Sequence, residues 1–380
     1  MKIEQYLTDS SQLTQEGLAP LQRISPDLIL VFSALEVMAD PLFLTTLQQS
    51  FPTAKLAGCS TAGEISREGV SDGGAVITAI SFEKVQLHLV ETQVANLDDS
   101  FRAGAELGRQ LAPLNPKAVT LFGPGIDVNG SAIINGINSE LTAEVLISGG
   151  LAGDGGQFKE TLTLSPSGLS ARGVVAMAFC GEDLLFGHGS FGGWSPFGPA
   201  RKITRCSGNI LYELDGEPAL NVYKKYLGDH ARDLPASGLL FPFEMLDANH
   251  SQLGLIRTIL GIDPDAGSLT LAGEIDPEGY LRLMHANVDD LVDGAEEAAH
   301  QTLKSLAEPT PGLAMLISCV GRKLVMGDQV DDEVEAVAET LHHATVLTGF
   351  YSYGEISPLG EILSCKLHNQ TMTIAFIGER

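Results

Sequence analysis

Positive charge is scarce in this chain: 23 Lys and Arg stand against 48 Asp and Glu, a formal net charge of −25. Such a surface repels phosphate backbones and anionic membranes, so neither nucleic acid nor a membrane is expected as a partner. Long apolar runs are missing too, and no segment reaches the ~20 residues of a membrane-spanning helix. Cysteines are few: Cys59, Cys180, Cys206, Cys319 and Cys365 are odd in number, widely spaced and without a CxxC pair. That usage points to reduced thiols in the cytoplasm rather than a disulfide framework. The opening MKIEQYLTDSSQ has one Lys, an early Glu and no apolar centre, so it does not read as a secretory signal.

Catalytic signatures are absent as well. GCSTAG and GFYSYG depart from the G-x-S-x-G spacing of a nucleophile elbow. The glycine-rich FGPGIDVNGSA, residues 122–132, has neither the Lys of a P-loop nor a G-x-G-x-x-G. No HExxH and no close Cys/His cluster offers zinc geometry. The expectation is a non-catalytic protein with no cofactor of its own.

What is present is a repeated turn. GCSTAGEI at 58–65 and GFYSYGEI at 349–356 share the frame G-x-x-[ST]-x-G-E-I. Each closes a unit of apolar run, amphipathic stretch and second apolar run, which is strand, helix and strand. The first unit uses Leu28–Phe32, 41–49 and Ala54–Ala57; the last uses Leu313–Ile317, 332–342 and Thr345–Thr348. A looser copy lies between them, with Val119–Phe122, 131–141, Val145–Ser148 and then GGLAGD, where Gly153 and Asp154 fall at the places of Gly63 and Glu64. Glycines let backbone approach a ligand, hydroxyls add hydrogen bonds, and a carboxylate fixes a charged or donor end. Open α/β sheets present such turns at the carboxyl ends of their strands, where ligands bind. The plainer reading is a structural turn whose carboxylate caps backbone N–H groups.

Elsewhere, Ala75–Ser81 and Val85–Glu91 read as a hairpin, Thr161–Leu164, Gly173–Phe179 and Leu184–Gly189 as antiparallel strands continuing the first sheet, and 187–199 as a connection between halves. Residues 1–26 read as irregular, with a short helix. At 380 residues with 44% hydrophobic and 19% charged residues, two domains or two packed halves are expected. The fold class is α/β, two pseudo-repeated halves with mixed parallel and antiparallel sheets flanked by helices.

The ordered set GCSTAGEI, GGLAGDG (149–155), GNILYELDGEPAL (208–220), EGYLRLM (278–284), LISCVGRK (316–323), GFYSYGEISP (349–358) and HNQTMT (368–373) resembles the FIST family. The resemblance spans almost the whole chain and implies an N-terminal extension over 1–26, a FIST N-terminal domain over 27–200 and a FIST C-terminal domain over 201–380. It also implies a sensory module of signal transduction that recognises small molecules such as amino acids or their derivatives. Some members bind haem and sense nitric oxide, acting on a histidine kinase or a cyclic-dinucleotide enzyme. No output domain is recognisable here, so signalling would pass through a separate partner.

The candidate ligand-binding residues are Cys59, Ser60, Thr61, Glu64, Asp154, Cys319, Arg322, Tyr351, Ser352, Glu355, His368 and Asn369. Glu64 and Glu355 would accept from an ammonium group, and the planar fork of Arg322 would hold a carboxylate, or else pair with Glu355 as a structural link. Cys59 and Cys319 are either buried thiols or partners across a cleft, in which case a thiol enzyme with His368 as base is the alternative. Under the haem reading the axial ligand is His188, flanked by glycines in GHG. His342 and His343 suit a helix end.

Overall fold

The computed structural model describes residues 1–141, 145–306, 311–341, 345–359 and 362–380; His342 and His343 lie outside them. The three sequence units become three sheets of identical plan. The first runs strand Lys2–Thr8, helix Gln15–Arg23, strand Leu28–Ser33, helix Pro41–Ser50, strand Lys55–Ser60, hairpin Glu64–Ser66 and Gly69–Ser71, and closing strand Ala75–Ser81. The second repeats this order over Gln86–Gln93, Ser100–Leu111, Ala118–Gly123, Gly130–Glu140, Leu146–Leu151, Thr163–Ser165 with Gly168–Ser170, and Gly173–Cys180. The third uses Leu184–Phe191, Val288–Ser305, Gly312–Cys319, Val330–Thr340, Thr345–Ser352, Gly354–Leu359 with Ile362–His368, and Met372–Glu379. The mixed α/β class with mixed parallel and antiparallel sheets is as the sequence implied: each central pair is parallel and every other pairing in these sheets antiparallel.

The units are interlocked. The hairpin of the first joins the sheet of the third, Glu64 opposite Phe350; that of the second joins the first, Thr163 opposite Cys59; that of the third joins the second, Glu355 opposite Gly150. Ala75–Ser81 and Gln86–Gln93 therefore form no hairpin: one pairs within the first sheet, the other with Gly173–Cys180 in the second. Nor do the strands after Glu160 continue one sheet, because they are dealt out to all three. Residues 2–8, read as irregular, are the edge strand of the first sheet.

Contiguous apolar strands arise because both faces are covered. Leu28, Leu30 and Phe32 point into a central core with Phe122, Met177, Met315, Ile317 and Phe350. Ile29 and Val31 face outward to the helix layer, as do Val119 and Leu121 in the second unit and Ala314 and Leu316 in the third. At the centre Phe32 stacks on Phe350 at 4.7 Å, and Phe122 meets both edge-on at 5.5 and 5.9 Å. Side-chain caps start the crossover helices: Asp40 accepts from Leu42 N ahead of Pro41, and Asn129 from Ala132 N.

An insert interrupts the third unit. Gly187–Phe191 belongs to the edge strand Leu184–Phe191, paired with Met372–Glu379, so 187–199 is not a plain connection. From Ser195 to His285 the chain forms an eight-stranded antiparallel sheet with helix Ala219–Leu227 and a core of its own around Leu211, Tyr223, Phe243 and Leu281.

Candidate functional site

The first turn places Glu64 at the start of its hairpin strand, 1% exposed. Thr61 Oγ1 donates to Oε1 at 2.6 Å, while Ser71 Oγ and Gly74 N donate to Oε2 at 3.3 Å. Burial drives its carboxyl up to about 7, partly offset by these bonds, while nearby Asp72 adds to the rise and Lys323 opposes it. Beside it lies a cavity of about 480 Å³, bordered by Glu36, Thr61, Glu64, Asp72, Asp154 and Lys323, with Gly155, Gly156 and Gln157 along one rim. The Lys323 ammonium is taken by Asp72 and by the Ala62 carbonyl at 2.9 Å. The cavity is thus rich in acids, and among the described residues that line it the one basic side chain is already paired.

The third turn repeats the bonding, but its glutamate faces no cavity: Tyr353 of the same turn lines one of about 360 Å³, and Glu355 does not. Ser352 Oγ donates to Glu355 Oε1 at 2.6 Å, and Thr371 N and Oγ1 donate to Oε2 at 3.2 and 3.1 Å. Thr371 stands where Gly74 stands in the first unit, one residue ahead of the closing strand. Glu355 is fully buried, and burial pushes it up to about 8. Here the capping reading describes the geometry.

The middle turn departs from its expected alignment. Cross-strand register puts Thr163, not Asp154, at the place of Glu64 and Glu355, and its hydroxyl donates to Gly173 O at 2.8 Å. Asp154 instead gathers the loop that follows it: Oδ1 accepts from Phe158 N at 2.8 Å and from the Tyr353 hydroxyl, and Oδ2 from Lys159 N and Glu160 N at 2.7 and 3.0 Å. These bonds hold its carboxyl below the usual range against the opposing effect of burial. It still borders the cavity of the first turn.

The remaining candidates separate. Arg322 is wholly buried and serves Glu333, not Glu355: Nε and Nη2 reach Glu333 Oε2 at 3.1 and 2.7 Å, Nη1 reaches Gly192 O at 2.5 Å and Nη2 Leu291 O at 2.7 Å. Tyr351 donates to the other oxygen of Glu333, as does Ser318. Ser60 bridges Gly153 O and Leu162 N. Cys59 sits in the central core and Cys319 at the end of its strand; burial pushes both thiols up, so neither is a thiolate at neutral pH. His368, its ring against Ser357 O at 3.2 Å, is driven down to about 4 by burial, and Asn369 is buried beside it with Oδ1 unpartnered. His188 is on the edge strand Leu184–Phe191, no residue of which borders the cavity.

Lys323, Asp72, Glu36 and Gln157 were missed in the sequence. Lys323 had a signal: it follows Arg322 on a helix, and adjacent helical residues point about 100° apart. One therefore faces the core and the other the cavity.

The buried titrating groups set a pH dependence. Glu355 and Glu64 keep their protons in the folded chain up to about 8 and 7, against 4.5 when unfolded, so their contribution is complete at low pH and is lost as pH rises. His368 acts oppositely, costing stability only below 6.5. Between pH 6.5 and 8 these carboxyls, and not His368, set the trend. Urea denaturation is expected to show the unfolding free energy falling by about 2 kcal/mol across that interval from Glu355, a fall largely removed in Glu355→Gln.

Comparison with known proteins gives a FIST N domain over residues 27–217 and a FIST C domain over 219–358. An uncharacterized protein of Methanocaldococcus jannaschii is 22% identical over 250 residues, covering 61% of this chain and 46% of that protein. The chain thus aligns with less than half the length of that relative. Two cyanuric acid hydrolase structures, one from A. caulinodans, align over 100% of this chain and 98% and 99% of theirs, at 9% identity and a TM-score of 0.38. A likeness that distant does not bear on activity.

Proposed function

The chain belongs to the FIST family, pairing a FIST N domain with a FIST C domain, and from that premise we propose that it is a sensory protein binding a small ligand in the cavity of the first turn. FIST domains are sensory, small-ligand-binding domains of signal transduction. The ligand is an amino acid or a related small metabolite, and the signal leaves through a separate cytoplasmic partner such as a histidine kinase or a cyclic-dinucleotide enzyme. One observation carries the reading: the desolvated Glu64 carboxylate borders an accessible cavity, while its counterpart Glu355 is sealed in. Of the two repeated glutamates, only Glu64 faces a space that a guest could enter. An ammonium group there would draw the buried carboxyl into its ionised form, and with water excluded the resulting charge-assisted bond is strong.

A thermal-shift and calorimetry panel of amino acids and small amines tests this. Glu64→Gln is expected to weaken the stabilising ligand roughly tenfold to hundredfold, the loss of a charged hydrogen bond, with the fold retained. A ligand bound equally by wild type and Glu64→Gln would place recognition elsewhere.

A further inference from the structure

A second cavity, of about 840 Å³, adjoins the first and shares Gly156, Gln157 and Leu324 with it. Its walls are chiefly apolar, with Phe158 from the loop after Asp154 on one side and Leu234, Leu239, Leu240, Ile259 and Leu260 from the insert on the other. Its volume lies in the range of sites that enclose small organic ligands. Phe158 is held rigidly: its ring stacks on Tyr353 at 4.1 Å, and its amide is bound by Asp154. Among the described residues the polar side chains lining this cavity are Gln157, His230, Asp233 and Ser237, with no Lys or Arg.

We propose that the ligand is an amphipathic amine lacking a carboxylate, with its ammonium group against Glu64 and its alkyl or aryl body in the apolar cavity under the insert. This rests on the receptor reading and narrows it. Among the described lining residues of the two cavities the acids are Glu36, Glu64, Asp72, Asp154 and Asp233, and the single Lys, Lys323, is committed to Asp72 and Ala62 O. The ammonium of a zwitterion would be welcome there, but its carboxylate would find no uncommitted Lys or Arg. A short amine would fill the acidic cavity and leave the apolar one in water. A molecule with both features matches both walls at once.

Calorimetry on the full chain with tryptamine, ethylamine, tryptophan and indole-3-propionate as probes tests this. Tryptamine is expected to bind roughly tenfold or more tighter than ethylamine, from burial of its ring, and at least about tenfold tighter than tryptophan or indole-3-propionate, from charge. Ala236 is exposed on the wall of the second cavity, and Ala236→Trp should fill that space, lowering tryptamine affinity to that of ethylamine while leaving ethylamine unchanged. Leu260→Ala, at a residue 45% exposed, gives a milder loss of about threefold without disturbing a core. Tryptophan binding more tightly than tryptamine, or tryptamine no tighter than ethylamine, would overturn the amine assignment. The receptor reading would survive that result if the tighter ligand still depended on Glu64. No Glu64-dependent binding from any probe or any member of the wider panel would bring down both.

Discussion

Glu333→Ala is expected to lower the unfolding free energy by about 3–5 kcal/mol, the cost of leaving a buried guanidinium without its counter-ion. Arg322 and Glu333 are both 0% exposed, and neither can recover water without opening the third unit. The pair also fastens the insert. Gly192 lies just before the insert and Leu291 in the first turn of the helix after it, and Arg322 binds the carbonyls of both. Removing Glu333 further deprives Ser318 and the Tyr351 hydroxyl of their acceptor. Urea denaturation measures the loss, and limited proteolysis near residues 192–195 should quicken in the same variant. Replacing both partners with apolar residues, Arg322→Met with Glu333→Leu, should cost less than Glu333→Ala alone, because no charge is then stranded. A single variant within about 1 kcal/mol of wild type would mean that the charge finds water, against the burial described.

The contrast between Arg322 and Lys323 shows what the sequence disclosed. The motif SCVGRK marked the right segment, but which basic residue enters the core depends on helix phase, which a single adjacent pair does not reveal. Strands were plain wherever both faces are buried, as in Leu28–Phe32 and Leu313–Ile317. Lys2–Thr8 was not, since it is half-exposed at a sheet edge and carries polar residues through much of its length. Partner choice was hidden for another reason. Ala75–Ser81 and Gln86–Gln93 are close enough in the chain to suggest a hairpin, and only the packing of three sheets around the phenylalanine cluster sends them apart. The second cavity is assembled from residues within 156–158, 230–240 and 259–260 together with Leu324, whose convergence depends on how the insert docks. Asp154 misled because the middle turn carries extra loop before Thr163, so spacing from Gly153 could not indicate cross-strand position.

Gly58→Ala is expected to cost about 3 kcal/mol or more, and the reason explains why all three copies of the turn begin with glycine. A Cβ at Gly58 would lie 1.8 Å from the Val31 carbonyl oxygen; at Gly149, 1.9 Å from that of Leu121; at Gly349, 1.8 Å from that of Leu316. In each case the obstacle is backbone of the neighbouring parallel strand, which cannot swing aside as a side chain could. Gly58 and Gly149 also have φ of +154° and +139°, where an L-residue is strained by about 1–3 kcal/mol before any clash is counted. In the first unit relief requires the parallel pair to part, and that pair carries Phe32 of the central cluster and leads into the turn holding Glu64. Thermal melts of Gly58→Ala, Gly149→Ala and Gly349→Ala should show large losses in all three. Gly58→Ala should disturb ligand binding at the first turn most, because its strand leads directly into Thr61 and Glu64; Gly349, opposite Ile65, and Gly149, whose strand runs on to Asp154 at the cavity rim, support the same site from its other sides. Unchanged ligand binding in a folded Gly58→Ala variant would place the site away from the first turn.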